Sequence, residues 1–600
     1  MTEKRISLEI ALYALVLLLS LSVRLLNLGA MPLSDFEASN ALHALEAVDR
    51  YEMPEVERSI TDLNSFPSYI SFTGLTVFLF ESTNFLARIW PALVGASLVL
   101  VPFFFRLLLG RKAALVLAYV LALDPGLVAI SRLGGGQMLV IGFGLWSLTF
   151  AYLRKPIWSG IFAGLALLSG PTALHGLLGI TSTWLLIRLL GNMGVISVNQ
   201  EDIGIGAPSR RAIFTWSVVA GVTIVLAGSI FLIYPQGISD WVATFPSYLV
   251  GWLSSAGVPA LRLIAILAIF QPLALVFGVI ASIRGWIKRK PIEQVLSLWL
   301  LISFMLIIVY PSRQVGDLVW VLIPLWSLAG LELARNLVWD SRFGFVSLGQ
   351  AALIFLIMAL FWLNLSAAGV IIADLQSTAV RLGVLGGVVA LAAVVTVLVT
   401  YGWSWQIARR GLVWGFCLGM GVFGFANMWN ATQLNLSGNV GVWHPYPLTA
   451  DEDLLVKTVQ DLSNWNTGRA DNIDVTVLSD APSLRWALRD ISQVNYLSEG
   501  ELPNLGGESS IVLTLRIQEA PSLADSYRGQ DFAWWSYPDW GGVLPRDFYK
   551  WLLFRSAPVR QEHLILWARE DLFPGGYDLL QSETPILPDE VLPVDDAGQE

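Results

Sequence analysis

Two acidic residues stand at the first bend of the chain, directly after an apolar run long enough to cross a bilayer. The run ISLEIALYALVLLLSLSVRLLNLGA is followed by MPLSDFEASNALHALEA, which contains Asp35 and Glu37. One interpretation is a catalytic carboxylate held at the boundary between water and lipid. The other is a helix start, because Ser34 as N-cap and Glu37 form the S-x-x-E pattern of a capping box. The loop alone leaves both interpretations open.

The composition around this loop is that of a membrane protein. The 600 residues are 55% hydrophobic and 14% charged, with a mean hydropathy of +0.63, whereas soluble proteins carry about a quarter charged residues. The first apolar run lacks a small-residue cleavage site, so it predicts a retained span. From residue 441 onward the sequence contains 11 Lys and Arg but 26 Asp and Glu. Such an acidic part argues against a nucleic-acid partner and against docking on anionic lipid.

Apolar segments of about 20 residues predict the membrane-spanning helices that position Asp35 and Glu37. Thirteen such spans lie near residues 7–28, 85–108, 113–131, 136–153, 157–173, 174–190, 213–234, 260–283, 292–310, 317–334, 347–371, 382–401 and 411–429. The stretch SFPSYISFTGLTVFLF, residues 65–80, is shorter and predicts a helix at the membrane surface.

Lys and Arg predict the orientation, because short cytoplasmic loops hold the excess. With the N-terminus in the cytoplasm, the inner side collects most of them, including Arg111, Lys112, Arg154 and Lys155. The first loop, 29–84, then lies outside and the loop 191–212 inside. The sequence therefore predicts a multi-pass protein of the cytoplasmic membrane with its C-terminal part extracytoplasmic.

After residue 441 the composition changes to that of a soluble domain. The helical patterns DEDLLVKTVQDLSNW and PSLRWALRDI alternate with the strand patterns IDVTVLSD, QVNYLS, SSIVLTLRI and HLILWARED. This alternation predicts an α/β domain over 441–580, following a membrane module of residues 1–435. Residues 581–600 are Pro-rich and acidic, which is typical of a disordered tail.

Several stretches of the membrane module resemble the GT-C membrane glycosyltransferases. RLLNLGAMPLSDFEASNALHAL resembles their first loop, and ESTNFLARIWPALVGASLVLVPFFFRLLLGR their second-span region. LDPGLVAISRLGGGQMLVIGF is similar to their third-to-fourth-span turn, and YPSRQVGDLVWVLIPLWSLAGLELAR to their late arginine-bearing turn. This superfamily includes protein O-mannosyltransferases and lipid A aminoarabinose transferases. A prokaryotic branch associated with lipid-linked oligosaccharide flipping carries a stretch similar to PSLRWALRD.

The resemblance implies a polytopic α-helical fold and an inverting transfer of sugar from a polyprenyl-phosphate donor to a protein, lipid or glycan acceptor outside the membrane. Glu37 or Asp35 would be the general base, since a partly dehydrated carboxylate can have a raised pKa. Arg313, Arg132 and Arg58 would bind the donor phosphate, because guanidinium matches phosphate bidentately. Each arginine could instead anchor a span in the headgroups. No cofactor is expected, and nothing in the sequence supports a divalent metal.

The chain also departs from the family pattern. Its DFE places Glu37 at the family's Glu position but Phe36 at the adjacent Asp position, with Asp35 displaced by one residue. Gln137 stands where an acid is common. These differences leave a second hypothesis open, in which a GT-C-like protein acts as a non-catalytic partner or in flipping of lipid-linked oligosaccharides. A transporter is a third hypothesis, disfavoured because ionisable residues collect at span ends.

Other chemically interesting residues give weaker patterns. His43, His175, His444 and His563 have no second ligand at helical or hairpin spacing, so they predict no metal site. The cluster FAWWSYPDWGG, residues 532–542, could stack on sugar rings or rest among headgroups, although burial in a core is the usual fate of such aromatics. The lone Cys417 excludes an intrachain disulfide.

Overall fold

The computed structural model describes residues 2–48, 66–196, 209–254, 257–337, 344–370, 375–432, 443, 447–497, 509–516, 526–538, 548–554 and 558–573. The chain divides into two compact units. The first comprises Met1–Leu448 with Tyr537–Arg560, and the second comprises Thr449–Ser536 with Gln561–Glu600. Arg58, His444 and the predicted tail 581–600 lie outside the described residues.

The first unit is mainly helical in its described part. Its first ten helices are α1 Thr2–Leu25, α2 Asp35–Glu46, α3 Pro67–Leu79, α4 Asn84–Ser97, α5 Val101–Phe104, α6 Arg106–Leu109, α7 Arg111–Leu123, α8 Pro125–Ser131, α9 Gln137–Tyr152 and α10 Pro156–Leu167. The next ten are α11 Pro171–Asn192, α12 Arg210–Gly228, α13 Gln236–Val250, α14 Ala260–Phe270, α15 Pro272–Ile287, α16 Pro291–Val309, α17 Val319–Asn336, α18 Gly344–Val370, α19 Leu375–Gly402 and α20 Trp405–Ala431.

These helices make the chain a multi-pass membrane protein, as the sequence predicts. Within the described residues, nine helices are long and apolar enough to cross a membrane, and two bent pairs would raise the number to eleven. The remaining two predicted spans are α9 and α10, apolar helices of only 16 and 12 residues. The count of thirteen therefore stays a prediction. Helix α3 matches the predicted short helix at 65–80, whereas α13 has no counterpart in the predicted spans.

Two of the predicted spans are broken helices. Helices α7 and α8 bend by 54° at Asp124, and α14 and α15 bend by 93° at Gln271. A proline follows each break, Pro125 and Pro272, and proline removes a backbone N–H and clashes with the preceding turn. The side chains at the two breaks meet, since Gln271 Nε2 donates a hydrogen bond to the buried Asp124 Oδ2 at 2.5 Å.

The second unit is built on a mixed sheet of six strands in the order β1-β5-β6-β4-β2-β3. The strands are β1 Leu448–Thr449, β2 Asp474–Leu478, β3 Gln493–Tyr496, β4 Ile511–Leu515, β5 Tyr527–Pro538 and β6 Val559–Arg569. Strand β2 runs parallel to β3 and β4, and β4 runs antiparallel to β6. Helices α21 Glu452–Thr467 and α22 Pro482–Ala487 lie within this unit, while α23 Phe548–Phe554 belongs to the first.

The core of the second unit follows from helical and strand periodicity. Leu455, Val459 and Leu462 recur on one face of α21 and are buried. The described part of the aromatic cluster, residues 532–538, lies on β5, a strand that the sequence patterns do not predict. Its Phe532 and Trp534 are fully buried, and Trp534 Nε1 donates to Ser483 Oγ at 3.1 Å.

Candidate active site

The acidic loop begins helix α2 with a complete capping box. Ser34 is the N-cap, and its backbone N–H and Oγ donate to Glu37 Oε2 at 3.2 and 3.1 Å. The backbone N–H of Gly134 donates to Glu37 Oε1 at 2.8 Å. Glu37 is 2% exposed, so its carboxylate lies inside the protein and joins two loops that are far apart in sequence.

Arg88 completes the surroundings of this carboxylate. Its Nε donates to Glu37 Oε1 at 2.7 Å and its Nη2 to Oε2 at 2.8 Å, while the remaining donors reach the carbonyls of Leu28, Met31 and Pro32. Burial alone raises the pKa of Glu37, but the charge and hydrogen bonds of Arg88 and the backbone N–H groups outweigh it and lower the pKa to about 2. Glu37 is therefore a weak base at neutral pH, opposite to the raised pKa that the sequence suggested.

The turn that contacts Glu37 is the glycine run of RLGGG. Asn40 Nδ2 donates to the carbonyl of Gly134 at 3.1 Å, which ties this turn to α2 a second time. A Cβ on Gly136 would lie 2.3 Å from both Phe66 Cδ1 and the Ser169 carbonyl oxygen. Glycine is required here because the backbone approaches its neighbours too closely for any side chain.

Beside this turn the first unit has a partly open cavity of about 230 Å³. Its aromatic lining residues are Phe36, Phe66, Tyr248 and Tyr310. Its polar lining residues include Gln137, Thr172, His175, Gln314 and Asp317. The wall is drawn from the starts of α2, α9 and α11, the end of α13, and the turn between α16 and α17. A small cavity lined by aromatic residues and a few polar groups is the usual form of a small-molecule site.

Among the described residues that line the cavity, Asp317 is the sole carboxylate and none is a Lys or Arg. It is 4% exposed and accepts hydrogen bonds from Thr172 Oγ1 at 3.0 Å and from the Gln314 backbone N–H at 2.9 Å. Among the described residues no cation forms a salt bridge with it. The sequence analysis did not single out Asp317. The pattern that could have indicated Asp317 is the Q-x-x-D spacing of QVGD, which resembles a capping box.

His175 and two tyrosines form an aromatic group in the same wall. The rings of Tyr248 and Tyr310 stack at a centroid distance of 5.1 Å, and the imidazole lies 5.5 Å from Tyr310. His175 Nδ1 lies 3.4 Å from Tyr248 Oη. Its Nε2 has no hydrogen-bond partner in the described part of the chain, although the residue is 2% exposed. A polar atom buried in this way normally has a partner, which a bound ligand would supply.

The three arginines predicted to bind phosphate stand apart from one another. Arg132 is buried, and its Nη1 and Nη2 donate to the carbonyls of Val23, Arg24, Leu26, Asn27 and Thr432. These contacts favour a structural role at the end of α1. Arg313 is half-buried next to the cavity residues Ser312 and Gln314, and Arg58 lies outside the described residues.

The donors of Arg313 are only partly occupied. Its Nε donates to the Ile307 carbonyl at 3.2 Å and its Nη1 to the Val258 carbonyl at 3.4 Å. Within the described residues Nη2 makes no hydrogen bond. Arg313 is therefore the predicted phosphate ligand whose geometry best fits the role.

The two departures from the family pattern meet at the cavity. Phe36 and Gln137 both line it, and a Cβ on Gly135 would meet both side chains within 3.0 Å. Asp35 is half-buried at the first position of α2 and does not line the cavity. Among the described residues no group of three His, Cys, Asp or Glu side chains is placed to hold a metal ion.

The overall fold has a counterpart among solved structures. The chain aligns with the crystal structure of ArnT from Cupriavidus metallidurans bound to undecaprenyl phosphate, with a TM-score of 0.51 at 15% identity, over 94% of this chain and 98% of that one. The structure of the same ArnT in the apo state aligns with a TM-score of 0.48 at 13% identity, over 96% and 99% of the two chains. No protein-family model and no curated protein matches the sequence.

Proposed function

We propose that this protein is an integral membrane glycosyltransferase that moves a sugar from a polyprenyl-phosphate donor to an acceptor outside the cytoplasm. The observation that carries the proposal is the polar and aromatic cavity, with Asp317 in its wall and Arg313 beside it, in a chain with a GT-C fold. The fold neighbour ArnT was crystallised with undecaprenyl phosphate. The distribution of Lys and Arg supports an external position for the cavity, in the cytoplasmic membrane.

The reaction needs a base and a site for the leaving phosphate. An acceptor hydroxyl or amine attacks the anomeric carbon, its proton passes to a carboxylate, and the bond to the phosphate oxygen breaks with inversion. Asp317 is the base that we propose, because it is the one carboxylate in the described lining of the cavity. Asp35 is the alternative from the acidic loop. Glu37 acts as a positioning residue, since Ser34, Arg88 and Gly134 occupy both of its oxygens.

Arg313 is the residue that we propose for the donor phosphate. Its Nη2 is available within the described structure, and its two neighbours in sequence line the cavity. A phosphate there would lie at the edge of the cavity, with the sugar inside. A charge-assisted hydrogen bond of this kind contributes about 1.5–3 kcal/mol.

A non-catalytic role in handling lipid-linked oligosaccharides remains the second candidate. The observation that favours it is the neutral wall at Phe36 and Gln137, together with the occupied carboxylate of Glu37. Such a protein would bind a polyprenyl-phosphate sugar and leave the anomeric bond intact.

A transfer assay separates the two candidates. Membranes from cells that express the full chain are incubated with a radiolabelled polyprenyl-phosphate hexose, and the label is followed into lipid, protein and glycan fractions. Transfer by the wild type, with a loss of about a hundredfold in Asp317→Asn, supports the enzyme. Asp531→Asn, which removes a carboxylate from strand β5, is the matched control and should transfer normally. Binding of donor without transfer to any fraction would refute the enzyme and support the second candidate.

A further inference from the structure

We infer that the cavity selects a single sugar ring that carries no negative charge, and that Asp317 is the residue that excludes acidic sugars. This inference rests on the proposed function and names the donor class for the same site. It follows from the volume, the lining and the charges of the cavity, taken in turn.

The volume restricts the occupant to one ring. Drug-sized ligands occupy pockets of about 300–1,000 Å³, so a cavity of about 230 Å³ lies below that range. One monosaccharide of about a dozen non-hydrogen atoms is a fitting occupant, and a second ring would have to lie outside the cavity.

The lining fits the amphipathic surface of a sugar. The stacked rings of Tyr248 and Tyr310 offer an apolar face to the C–H groups of a pyranose. In the same lining, Gln137 and Gln314 offer amide groups that both donate and accept hydrogen bonds. His175, whose buried Nε2 lacks a partner among the described residues, provides a further group for a hydroxyl. Neutral hydroxyls can use all of these groups without an ionic partner.

The charges exclude an acidic sugar. Asp317 is buried in the wall and accepts hydrogen bonds from two donors. In the described structure it forms no salt bridge. A second carboxylate within a few ångströms of a buried one is strongly repelled. Within the described part of the lining there is no Lys or Arg to offset this repulsion. Among the described lining residues His175 is the one side chain that could carry a positive charge, and it does so only in its protonated form.

Binding of three lipids to the full chain in nanodiscs at pH 7.5 tests the inference. The lipids are a polyprenyl phosphate carrying a hexose, the same lipid carrying the matching hexuronic acid, and the polyprenyl phosphate alone. We expect the hexose lipid to bind at least tenfold more tightly than the hexuronic acid lipid. Equal or tighter binding of the hexuronic acid lipid would overturn the inference while leaving donor binding intact.

Two variants assign the selectivity to the cavity charge. Asp317→Asn should reduce the preference to less than threefold, and Gln137→Glu, which adds a carboxylate to the same wall, should widen it. The unsubstituted polyprenyl phosphate should bind the wild type and both variants within twofold, which confirms that they are folded. A preference unchanged in both variants contradicts the role of Asp317. If none of the three lipids binds, the proposed function itself fails, and the inference fails with it.

Discussion

Arg88 holds both carboxylate oxygens of Glu37, at 2.7 and 2.8 Å, in a site where both side chains are almost completely buried. The pair fixes α2 against α4, 51 residues further along the chain. Because Arg88 also binds the carbonyls of Leu28, Met31 and Pro32, it holds the whole passage from α1 into α2. The position of Phe36, and with it one wall of the cavity, depends on this arrangement.

Removing either partner of this pair should destabilise the protein strongly. Capping alone predicts that Glu37→Gln leaves folding nearly intact, but the structure shows that this change also removes the counter-charge of a buried guanidinium. Loss of one partner of a buried ion pair costs about 3–5 kcal/mol. We expect Glu37→Gln and Arg88→Ala each to lower the thermal unfolding midpoint in detergent, followed by tryptophan fluorescence. The double variant should lose clearly less than the sum of the two shifts, and additive shifts would show that the pair is not coupled.

The same pair predicts a loss of stability in acid. Glu37 has a pKa of about 2 in the folded protein and an ordinary value of 4.5, so its contribution to stability is complete above pH 4.5. As the pH falls from 4.5 towards 2, the unfolded chain takes up the proton first, and up to about 3 kcal/mol is lost. Unfolding midpoints measured between pH 7 and pH 3 should show this decline. Glu37→Gln should lack this component, and an identical acid profile in that variant would assign the decline to other groups.

Arg313 and Arg132 should respond differently to substitution by alanine. Arg313→Ala should weaken binding of a polyprenyl phosphate about ten- to a hundredfold with little change in thermal stability, because its Nη2 has no described protein partner. Arg132→Ala should lower the unfolding midpoint, because five backbone carbonyls lose a donor. Binding titrations and unfolding curves on the two purified variants measure both effects. Equal losses of affinity without destabilisation would return Arg132 to the phosphate site.

The predicted orientation can be measured with single cysteines in a Cys417→Ser background. Lys155→Cys lies in the exposed turn between α9 and α10 and is expected in the cytoplasm, whereas Asn464→Cys lies on the exposed face of α21 and is expected outside. An impermeant thiol reagent added to intact cells should label Asn464→Cys and spare Lys155→Cys. The opposite pattern would invert the topology and place the cavity on the cytoplasmic side.

Local patterns in the sequence predicted most helices of the first unit and, at the site, the capping box of Ser34 and Glu37. Hydrophobic length located the segments that became helices, and the spacing of Ser34 and Glu37 predicted the capping box that the structure contains. The bends at Asp124 and Gln271 were not predicted, although the prolines that follow them mark both places. Strand β5 was missed because its polar start and aromatic end do not alternate.

The parts of the site that depend on tertiary contacts could not be predicted. The partner of Glu37 is Arg88, and the partner of Asp317 is Thr172, 145 residues away. Nothing in the local sequence distinguishes Arg88 from the other arginines near span ends. The expectation of a raised pKa for Glu37 was wrong for the same reason. A position beside the membrane predicts desolvation, which raises the pKa, but it does not predict the Arg88 charge that lowers it.

The contacts of Arg132 also determine when the helical unit can be completed during synthesis. One of its partners, Thr432, lies 300 residues further along the chain. At about 5–20 residues per second a ribosome needs roughly 15 to 60 s to make that stretch. Throughout this interval the nascent chain lacks the Thr432 carbonyl, so the Arg132 guanidinium can contact only the carbonyls at the end of α1. Chains that stop before Thr432 should therefore be prone to proteolysis by membrane quality control. In such chains the contact of Arg132 with the residue that follows α20 cannot form.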